Sequence, residues 1–382
     1  MILPSIKPNC PHFGSGPTAK HPGWNLNELS QSLVGRSHRS MQGKEKLRRL
    51  IDLTRIVHQI PDDYRIAIMA GSATGAIEAA LWSVLGLKKV DVMTFDVFSN
   101  LWLVDIVEQL KLKDVTAISA SSGSLPDVNI YNPTHDLVFS WNGTTSGVSF
   151  QNADWIPDNR EGLTICDATS AAFCVDLPWE KLDVTAFSWQ KGLGGEAAHG
   201  MLVLSPRAVQ RLETYKPVWP IPRIFRLTKE DKIIENVFKG DTLNTPSMLC
   251  VEDCLMVLEW AEMIGGLPAL TKKCRENAQV IYDWVEKTSW LSLMAESQSI
   301  ASPSSICLVV NTLQDKSEKD QRDFLQAMAT LLRQHQAAFD VVNHLYAPSS
   351  LRLWSGPTVE AKDLEILTSW LEWAYCQVLE SC

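Results

Sequence analysis

The sequence predicts an α/β fold in which a mainly parallel sheet is covered by helices on both faces. Two observations lead to this prediction. From about residue 44 onward, short apolar runs alternate with stretches of helical spacing, and from roughly residue 248 the chain becomes mostly helical. Because 382 residues exceed what one hydrophobic core usually organises, we also expect a smaller α+β domain at the C-terminus.

The alternating elements define the large domain. Helices are expected in EKLRRLIDLTRIVHQI, TGAIEAALWSVLG and LWLVDIVEQLKL. Buried strands are expected in RIAIMA, VDVMTF, VTAISA, HDLVFSW, LTICDA, VTAFSW and MLVLS. Ligands of such sheets bind beyond the carboxyl ends of the strands, so the residues that follow these runs are candidate functional residues.

The C-terminal part is expected to be mostly helical. Two helices, MLCVEDCLMVLEWAEMIGG and LPALTKKCRENAQVIYDWVEK, are separated at Gly265 and Gly266. One strand, SICLVVN, a helix around KDQRDFLQAMATLLRQH and a last helix from Ala361 follow. We therefore expect an N-terminal arm over residues 1–25 that packs with the small domain, a large domain over 26–255 and a small domain over 256–382.

Charge and cysteine usage narrow the class of protein. An excess of 44 acidic over 35 basic residues gives a net charge of −9, which disfavours nucleic acid and anionic membranes as partners. Nine cysteines are scattered without a CxxC pair, which is typical of a reducing compartment. The first twenty residues lack the apolar core of a signal peptide, and no apolar run has membrane-spanning length. We expect a cytoplasmic protein.

The run AGSATGA follows the strand RIAIMA and opens a helix. Small residues allow backbone amides to approach an anion, and the helix N-terminus favours negative charge, so this turn is a candidate phosphate site. It matches neither G-x-G-x-x-G nor a Walker loop, which weakens a dinucleotide or ATP interpretation. A tight turn with Ser or Thr capping explains the same residues about equally well.

Three further residues stand after expected strands. Asp167 ends LTICD, Lys191 follows VTAFSW, and Trp102 lies beyond VDVMTF. Taken singly, these residues are better explained as a helix cap, a solvated amine and a core tryptophan. Together with the phosphate turn, they supply what pyridoxal phosphate requires: an amine, a phosphate site, a carboxylate for the pyridine nitrogen and a flat surface for the ring.

A set of motifs resembles the phosphoserine aminotransferase family, in the branch found in some bacteria and archaea. The motifs run in order from about residue 7 to the C-terminal helix and read HFGSGPTAKHPGW, SHRS, GSATGAIEAALW, WNGTTSG, ICDATSA, FSWQKGLGGEAAHGMLVLSP, FKGDTLNTPSMLCVED and LRLWSGPTVE. The resemblance implies fold type I of the pyridoxal-phosphate enzymes, class V, with a mainly parallel seven-stranded sheet. It also implies a homodimer with active sites shared between subunits.

The resemblance assigns roles to single residues. Lys191 is implied to be the Schiff-base lysine, Asp167 the partner of the pyridine nitrogen and Trp102 the residue stacked on the ring. Thr144 is implied to bind the ring hydroxyl. The cofactor phosphate is implied to be held by two groups of residues, of which the second comes from the partner subunit: Ala73, Thr74 and Gln190, then Asn244 and Thr245.

The substrate contacts implied by the resemblance include one departure. Arg352 matches the arginine that binds the α-carboxylate, while His38 and Arg39 match residues that reach the substrate phosphate across the dimer. Where the family carries a segment resembling YRDAPPGLR, this chain has HLYAPSSLR, with His344 followed by Leu345. One missing charged contact would weaken phosphate binding by about 1.5–3 kcal/mol, which a protonated His344 could partly offset.

The reaction implied is phosphoserine transamination, in which L-glutamate and 3-phosphohydroxypyruvate give 2-oxoglutarate and O-phospho-L-serine. A second substrate, 4-phosphohydroxy-L-threonine, would connect the enzyme to pyridoxine synthesis. Two alternatives stay open: another class V enzyme with an altered substrate, and a non-catalytic nucleotide-binding α/β protein. His12, His21 and His199 have no ligand-like spacing to acidic or cysteine partners, so we expect no metal.

Overall fold

The computed structural model describes residues 1–381. The helices are α1 (Met41–His58), α2 (Ser72–Val84), α3 (Val97–Val104), α4 (Pro206–Thr214), α5 (Met248–Met263), α6 (Gly266–Glu286), α7 (Glu318–Gln334) and α8 (Ala361–Ser381). Strands of three or more residues are β1 (Arg65–Ala70), β2 (Val90–Thr94), β3 (Val115–Ser119), β4 (Asp136–Ser140), β5 (Thr164–Asp167), β6 (Val184–Ser188), β7 (His199–Leu204), β8 (Leu291–Leu293), β9 (Ser305–Val310) and β10 (Leu351–Trp354).

Shorter elements connect these. Two-residue strands pair as Asn142–Gly143 with Val148–Ser149 and as Thr228–Lys229 with Lys232–Ile233. A π-helical turn, Asp105–Gln109, prolongs α3. The 3-10 helices are Leu26–Gln31, Val128–Ile130, Trp179–Lys181, Arg223–Phe225, Glu235–Lys239, Gln298–Ile300 and Asn311–Leu313.

A seven-stranded sheet in the order β1-β7-β6-β5-β4-β2-β3 forms the centre of the fold. Strand β7 is antiparallel to both of its neighbours, and the other pairs are parallel. The predicted α/β class with a mainly parallel sheet is therefore confirmed. Since β1 and β6 flank β7 and both run against it, the carboxyl ends of β1, β2, β4, β5 and β6 all lie at one edge.

Both faces of this sheet are buried, because alternate side chains of a strand point to opposite faces. In β1, Ile66 and Ile68 pack into the core shared with α1, α5, α6 and α8, whereas Ala67 and Met69 pack into a second core with α2 and α4. Runs such as RIAIMA are apolar throughout because neither face of the strand meets water.

A three-stranded antiparallel sheet, β8-β9-β10, lies in the C-terminal part. The sequence predicted only the central strand, β9. Strands of three and four residues, as in β8 and β10, are too short for a period-two pattern to show, and they are recognised only through their pairing with β9. Strand β10 carries Arg352, the residue predicted to bind the substrate α-carboxylate.

The N-terminal segment runs along the C-terminal part of the chain. The backbone carbonyls of Pro11 and Phe13 accept hydrogen bonds from Phe339 and Trp354, at 2.9 Å each. The division at residue 255 stays a prediction, and that residue lies inside α5. Among residues 1–381 no single helix is long and apolar enough to cross a membrane; α5 and α6 meet this criterion only together, with a bend of 88° between them.

Candidate active site

A cavity of about 240 Å³ lies at the carboxyl edge of the large sheet. It is built where four strands end. The turn from β1 into α2, the segment from β2 into α3, and the loops after β5 and β6 all contribute residues to its wall. Seven of the residues singled out from the sequence line this one cavity: Ala73, Thr74, Trp102, Thr144, Asp167, Gln190 and Lys191. Features that were weak singly are thus brought together by the topology.

Lys191 follows β6 and is buried, with 8% of its surface exposed. Its Nζ donates a hydrogen bond to the backbone carbonyl of Ser15. Burial, together with the positive charge of Arg352, lowers the pKa of Lys191 to about 7, although Asp167 opposes the shift. An amine with this pKa is partly neutral at physiological pH, which a nucleophile or general base requires.

Asp167 is the last residue of β5, and its carboxylate faces the cavity. Oδ2 accepts from the indole Nε1 of Trp102 at 3.0 Å, and Oδ1 accepts from the backbone and hydroxyl of Thr169. Burial raises the pKa of Asp167, while these hydrogen bonds and the charge of Lys191 oppose the rise. Each carboxylate oxygen has more than one lone pair, so Asp167 can also accept a bond from a protonated ring nitrogen.

The first turn of α2 presents free backbone donors. Gly71, at the N-cap, has φ +83°, and no side chain caps the helix. Within residues 1–381 the amides of Ala73 and Thr74 have no acceptor. A side chain at Gly75 would lie 2.0 Å from the carbonyl oxygen of Ala70, so the tight strand-to-helix connection requires glycine there. The turn therefore offers amides and a helix dipole to an anion.

Gln190 and Thr144 complete the polar wall. The side-chain Oε1 of Gln190 is buried without a partner in the described residues, so the amide can be oriented to meet a bound group. Thr144 lies just after a two-residue strand, and its hydroxyl donates to Ser170 Oγ at 2.8 Å. A hydroxyl can also accept, which leaves Thr144 able to bind a ring oxygen.

Arg352 lies beside a second cavity, of about 350 Å³, which shares Gly16 and Pro17 with the first. Its Nε is buried without a partner in the part of the chain that the structure describes. Burial lowers the pKa of Arg352, and its charge in turn lowers the pKa of Lys191. A largely desolvated guanidinium near the amine of Lys191 is suited to binding a carboxylate with two parallel hydrogen bonds.

Four of the predicted site residues lie outside the cofactor cavity of the chain that carries them. His38 and Asn244 are half-buried and Arg39 and Thr245 are exposed, and none of the four lines this cavity. Their predicted roles depend on a partner subunit and stay predictions.

His344 lies near the cavity, with its ring centroid 5.9 Å from that of Phe98, which lines it. Its Nδ1 accepts from the amide of Tyr346 at 3.3 Å. Burial and the charges of Arg352, Arg322 and Lys191 lower the pKa of His344, so the imidazole is mostly neutral at pH 7. This direction counts against a protonated His344 as a substitute for the missing arginine. The neighbouring Leu345 side chain is 65% exposed.

Several contributors to the site were missed from the sequence. Gly16 and Pro17, Phe98, Thr169 and Ala197 line the cavity, as does Ser72, which belongs to the predicted phosphate turn. Thr169 could have been found, because a hydroxyl two residues after an aspartate commonly closes a local turn on its carboxylate. Ser15 and Gly16 carry no such signal, since they meet Lys191 through contacts between residues more than 170 positions apart.

The donor set fits pyridoxal phosphate. The backbone amides at the start of α2, the Lys191 amine with its lowered pKa and the buried Asp167 carboxylate line one cavity. The size of this cavity admits a single aromatic ring with its substituents. By contrast, within residues 1–381 no three His, Cys, Asp or Glu side chains are grouped so that they could hold a metal ion. That no metal is bound stays a prediction.

Comparisons with known proteins agree with this chemistry. No protein-family model matches the chain. A phosphoserine aminotransferase of Methanosarcina barkeri is 51% identical over 374 residues, which cover 98% of this chain and 99% of that protein. The structure of a phosphoserine aminotransferase from Cytophaga hutchinsonii superposes with a TM-score of 0.79 at 19% identity, covering 94% of this chain and 97% of the other. The pyridoxal-phosphate-bound phosphoserine aminotransferase of Trichomonas vaginalis gives 0.75 at 18% identity, covering 95% and 100%.

Proposed function

The chain belongs to the phosphoserine aminotransferase family, and from this premise we propose that it transfers the amino group of L-glutamate to 3-phosphohydroxypyruvate. The products are 2-oxoglutarate and O-phospho-L-serine. It is a pyridoxal-phosphate-dependent transaminase that acts in serine biosynthesis. The observation that carries the detailed reaction is the common cavity of Lys191, Asp167 and the amides of α2, with Arg352 nearby, whose Nε has no partner within residues 1–381.

When bound, pyridoxal phosphate supplies an aldehyde that takes up the amino group and a ring that withdraws electrons from the substrate α-carbon. The amides of Ala73 and Thr74, with Gln190, would hold its phosphate. Asp167 would keep the ring nitrogen protonated, and Trp102 would cover one face of the ring. Thr144 would bind the ring hydroxyl.

Lys191 would hold the cofactor in the resting enzyme and move the proton during turnover. With a pKa of about 7, its Nζ can accept the α-proton of the substrate and return it to the product side. The carbonyl of Ser15, which already accepts a hydrogen bond from this Nζ, would orient the amine whenever it is free. The small cavity would exclude water from the transfer.

Arg352 would orient the substrate through its α-carboxylate. A guanidinium that fixes the carboxylate also fixes the α-hydrogen relative to Lys191 Nζ, which turns proton transfer into an intramolecular step. The positive charge of Arg352 has a second effect, because it helps to keep Lys191 neutral. Substrate binding at Arg352 would partly cancel that effect and raise the basicity of the amine as the acid enters.

The substrate phosphate would be held by His38 and Arg39, and the cofactor phosphate also by Asn244 and Thr245, all from the partner subunit of a homodimer. Their position outside the cavity of their own chain supports this arrangement. We further propose a cytoplasmic location and a second substrate, 4-phosphohydroxy-L-threonine, in pyridoxine synthesis.

One observation favours a second candidate, a class V transaminase with an altered acid substrate. Leu345 stands where the family segment carries an arginine, and its side chain is exposed and uncharged. Arg352 and the proposed partner residues would still provide for two acidic groups, so we place phosphoserine transamination first.

The purified protein, loaded with pyridoxal phosphate, should form 2-oxoglutarate from L-glutamate when 3-phosphohydroxypyruvate is supplied. Lys191→Ala should abolish turnover, because among residues 1–381 no other lysine lines the cavity. Turnover of Lys191→Ala at the wild-type rate would contradict the mechanism. Turnover by the wild type with other 2-oxo acids but not with this one would instead support the second candidate.

A further inference from the structure

Asp253, on α5, joins three segments that are distant in sequence. Its side chain is buried, with 2% exposed, and it accepts hydrogen bonds from Lys20 Nζ at 2.9 Å, Trp24 Nε1 at 2.8 Å and the backbone amide of Glu196 at 2.7 Å. Lys20 also pairs with the carboxylate of Glu196 at 2.8 Å. A buried carboxylate with three donors is a strong, fixed junction, because each bond to a charged group is stronger than a neutral one.

The segment of residues 15–24, which we call the strap, lies directly against Lys191. Thr18 donates its amide to the carbonyl of Gln190 at 3.0 Å and its hydroxyl to the carbonyl of Lys191 at 2.7 Å. At Gly16, a Cβ would lie 2.5 Å from Lys191 Nζ. The strap therefore touches both the backbone and the amine of Lys191, at separations that leave no room for water.

The loop after Lys191 fits under the same strap. Gly194 has φ +66°, and a Cβ there would lie 2.2 Å from the carbonyl oxygen of Ala19. Asp253 binds the strap through Lys20 and Trp24, and it binds the end of this loop through the amide of Glu196. The two segments are thus held together at a point beyond Lys191 itself.

The strap also separates two cavities. Its inner side, at Gly16 and Pro17, lines the cofactor cavity, and its outer side, from Pro17 to Trp24, lines a larger cavity of about 670 Å³. Displacement of the strap would open Lys191 to that larger space. Since burial is the largest cause of the lowered pKa of Lys191, the strap maintains the state of the amine that the mechanism uses.

We propose that Asp253 is a positioning residue, which holds the strap closed over Lys191 and thereby keeps water from its amine. The inference rests on the proposed role of Lys191, and it adds a residue that touches neither cofactor nor substrate. Asp253 acts through Lys20, Trp24 and Glu196, so its removal should change the exposure of Lys191 more than the overall stability of the fold.

Acetylation of Lys191 tests this directly. The full chain, freed of cofactor, is treated briefly with acetic anhydride at about pH 10.5, where a buried Lys191 is neutral and an exposed one is still about half neutral, so that the rate reports access to the amine. Modification of Lys191 is measured by mass spectrometry relative to the exposed Lys272. Asp253→Asn should raise the rate at Lys191 by about tenfold, because the strap loses a charged anchor. Asp253→Glu, which keeps the charge, should restore part of the protection.

Glu252→Gln is the matched control. Glu252 is the preceding residue on α5 and is also buried. It forms an ion pair with Lys46 at 2.9 Å and makes no hydrogen bond or ion pair to the strap, so the substitution removes one charged contact elsewhere. Its acetylation at Lys191 should equal that of the wild type. Equal rates in Asp253→Asn and Glu252→Gln would overturn the proposal and leave Asp253 a structural residue only.

Two milder variants keep the test decisive if Asp253→Asn does not fold. Lys20→Met and Trp24→Phe each remove one bond to Asp253 from a partly exposed position, and each should raise acetylation of Lys191. Wild-type rates in both would overturn the proposal.

The same variants also have a kinetic signature. In the enzyme loaded with pyridoxal phosphate, Asp253→Asn, Lys20→Met and Trp24→Phe should lower kcat while the KM for glutamate stays constant. Acetylation is measured without turnover, so it tests the role of Asp253 independently of the proposed reaction. The proposed reaction would fail on a different result, which is turnover by Lys191→Ala.

Discussion

The indole Nε1 of Trp102 donates a hydrogen bond to Oδ2 of Asp167 at 3.0 Å. The bond joins the helix after β2 to the end of β5, so the residue proposed to cover the cofactor ring also fixes the carboxylate proposed to bind its nitrogen. The geometry leaves Asp167 held by two neighbours, with Thr169 on its other oxygen.

Asp167→Asn should lower kcat by roughly 100- to 1000-fold, because an amide cannot stabilise the positive ring nitrogen. The variant should still bind cofactor through the α2 amides. Trp102→Phe serves as the control, since it keeps an aromatic face and removes only the Nε1 bond. A smaller loss is expected there. Steady-state kinetics of the two variants, with bound cofactor quantified, would check this; equal losses would mean that the charge of Asp167 is not what matters.

The depressed pKa of Lys191 predicts a pH-dependent stability. The group titrates at about 7 in the folded chain and at its ordinary value of 10.5 when unfolded. Between these values the unfolded state binds more protons, so the free energy of unfolding contributed by this group rises with pH. Below pH 7 Lys191 is protonated in both states, so the loss of folding free energy from burying its charge is at its maximum.

Lys191→Met should therefore make the cofactor-free protein more stable than the wild type below pH 7, and the advantage should shrink towards pH 10.5. Urea unfolding at several pH values would measure it. Lys272→Met, at an exposed lysine, should show no such trend. An advantage of Lys191→Met that does not change with pH would contradict the lowered pKa.

Leu345→Arg tests the departure from the family segment. If position 345 faces the substrate phosphate, an arginine there should improve kcat/KM for O-phospho-L-serine relative to L-serine by about 10- to 100-fold, through one charged contact. Tyr346→Arg places the same charge on the next residue, whose side chain is 80% exposed. The same gain in both variants would indicate general attraction of anions, and no gain in Leu345→Arg would mean that this position does not meet the phosphate.

Shared active sites predict complementation between subunits. Lys191→Ala and Arg39→Ala should each be nearly inactive as homodimers. A purified mixed dimer carries both defects in one site and neither in the other, so it should recover about half of the wild-type activity. Differently tagged chains allow that species to be isolated. An inactive mixed dimer would mean that Arg39 serves the site of its own chain.

The large sheet, and the positions of Asp167, Lys191 and the α2 turn at its edge, were predictable because they depend on local patterns. Strands buried on both faces appear as continuous apolar runs, and a parallel sheet brings the residues after those runs to one edge. Their positions alone make Asp167, Lys191 and the α2 turn candidates, whereas Thr144 and Gln190 were indicated only by the family resemblance. Their joint meaning came from chemistry, since only pyridoxal phosphate explained all of them together.

Contacts between distant segments could not be predicted. Asp253 lies in an apolar helix where its spacing indicates nothing, and its three donors come from residues 20, 24 and 196. Strands β8 and β10 were missed for the same reason, because their pairing with β9 defines them. The lowered pKa of His344 likewise results from burial and from the proximity of Arg352 and Arg322, which folding creates.

The visible spectrum of the purified protein during a titration with O-phospho-L-serine tests the central claim most directly. We predict a yellow absorbance band from pyridoxal phosphate held by Lys191, which disappears at low concentrations of this amino acid as its amino group is taken up. A band that responds only to other amino acids would contradict the proposed substrate, and no band even after addition of pyridoxal phosphate would contradict the site itself.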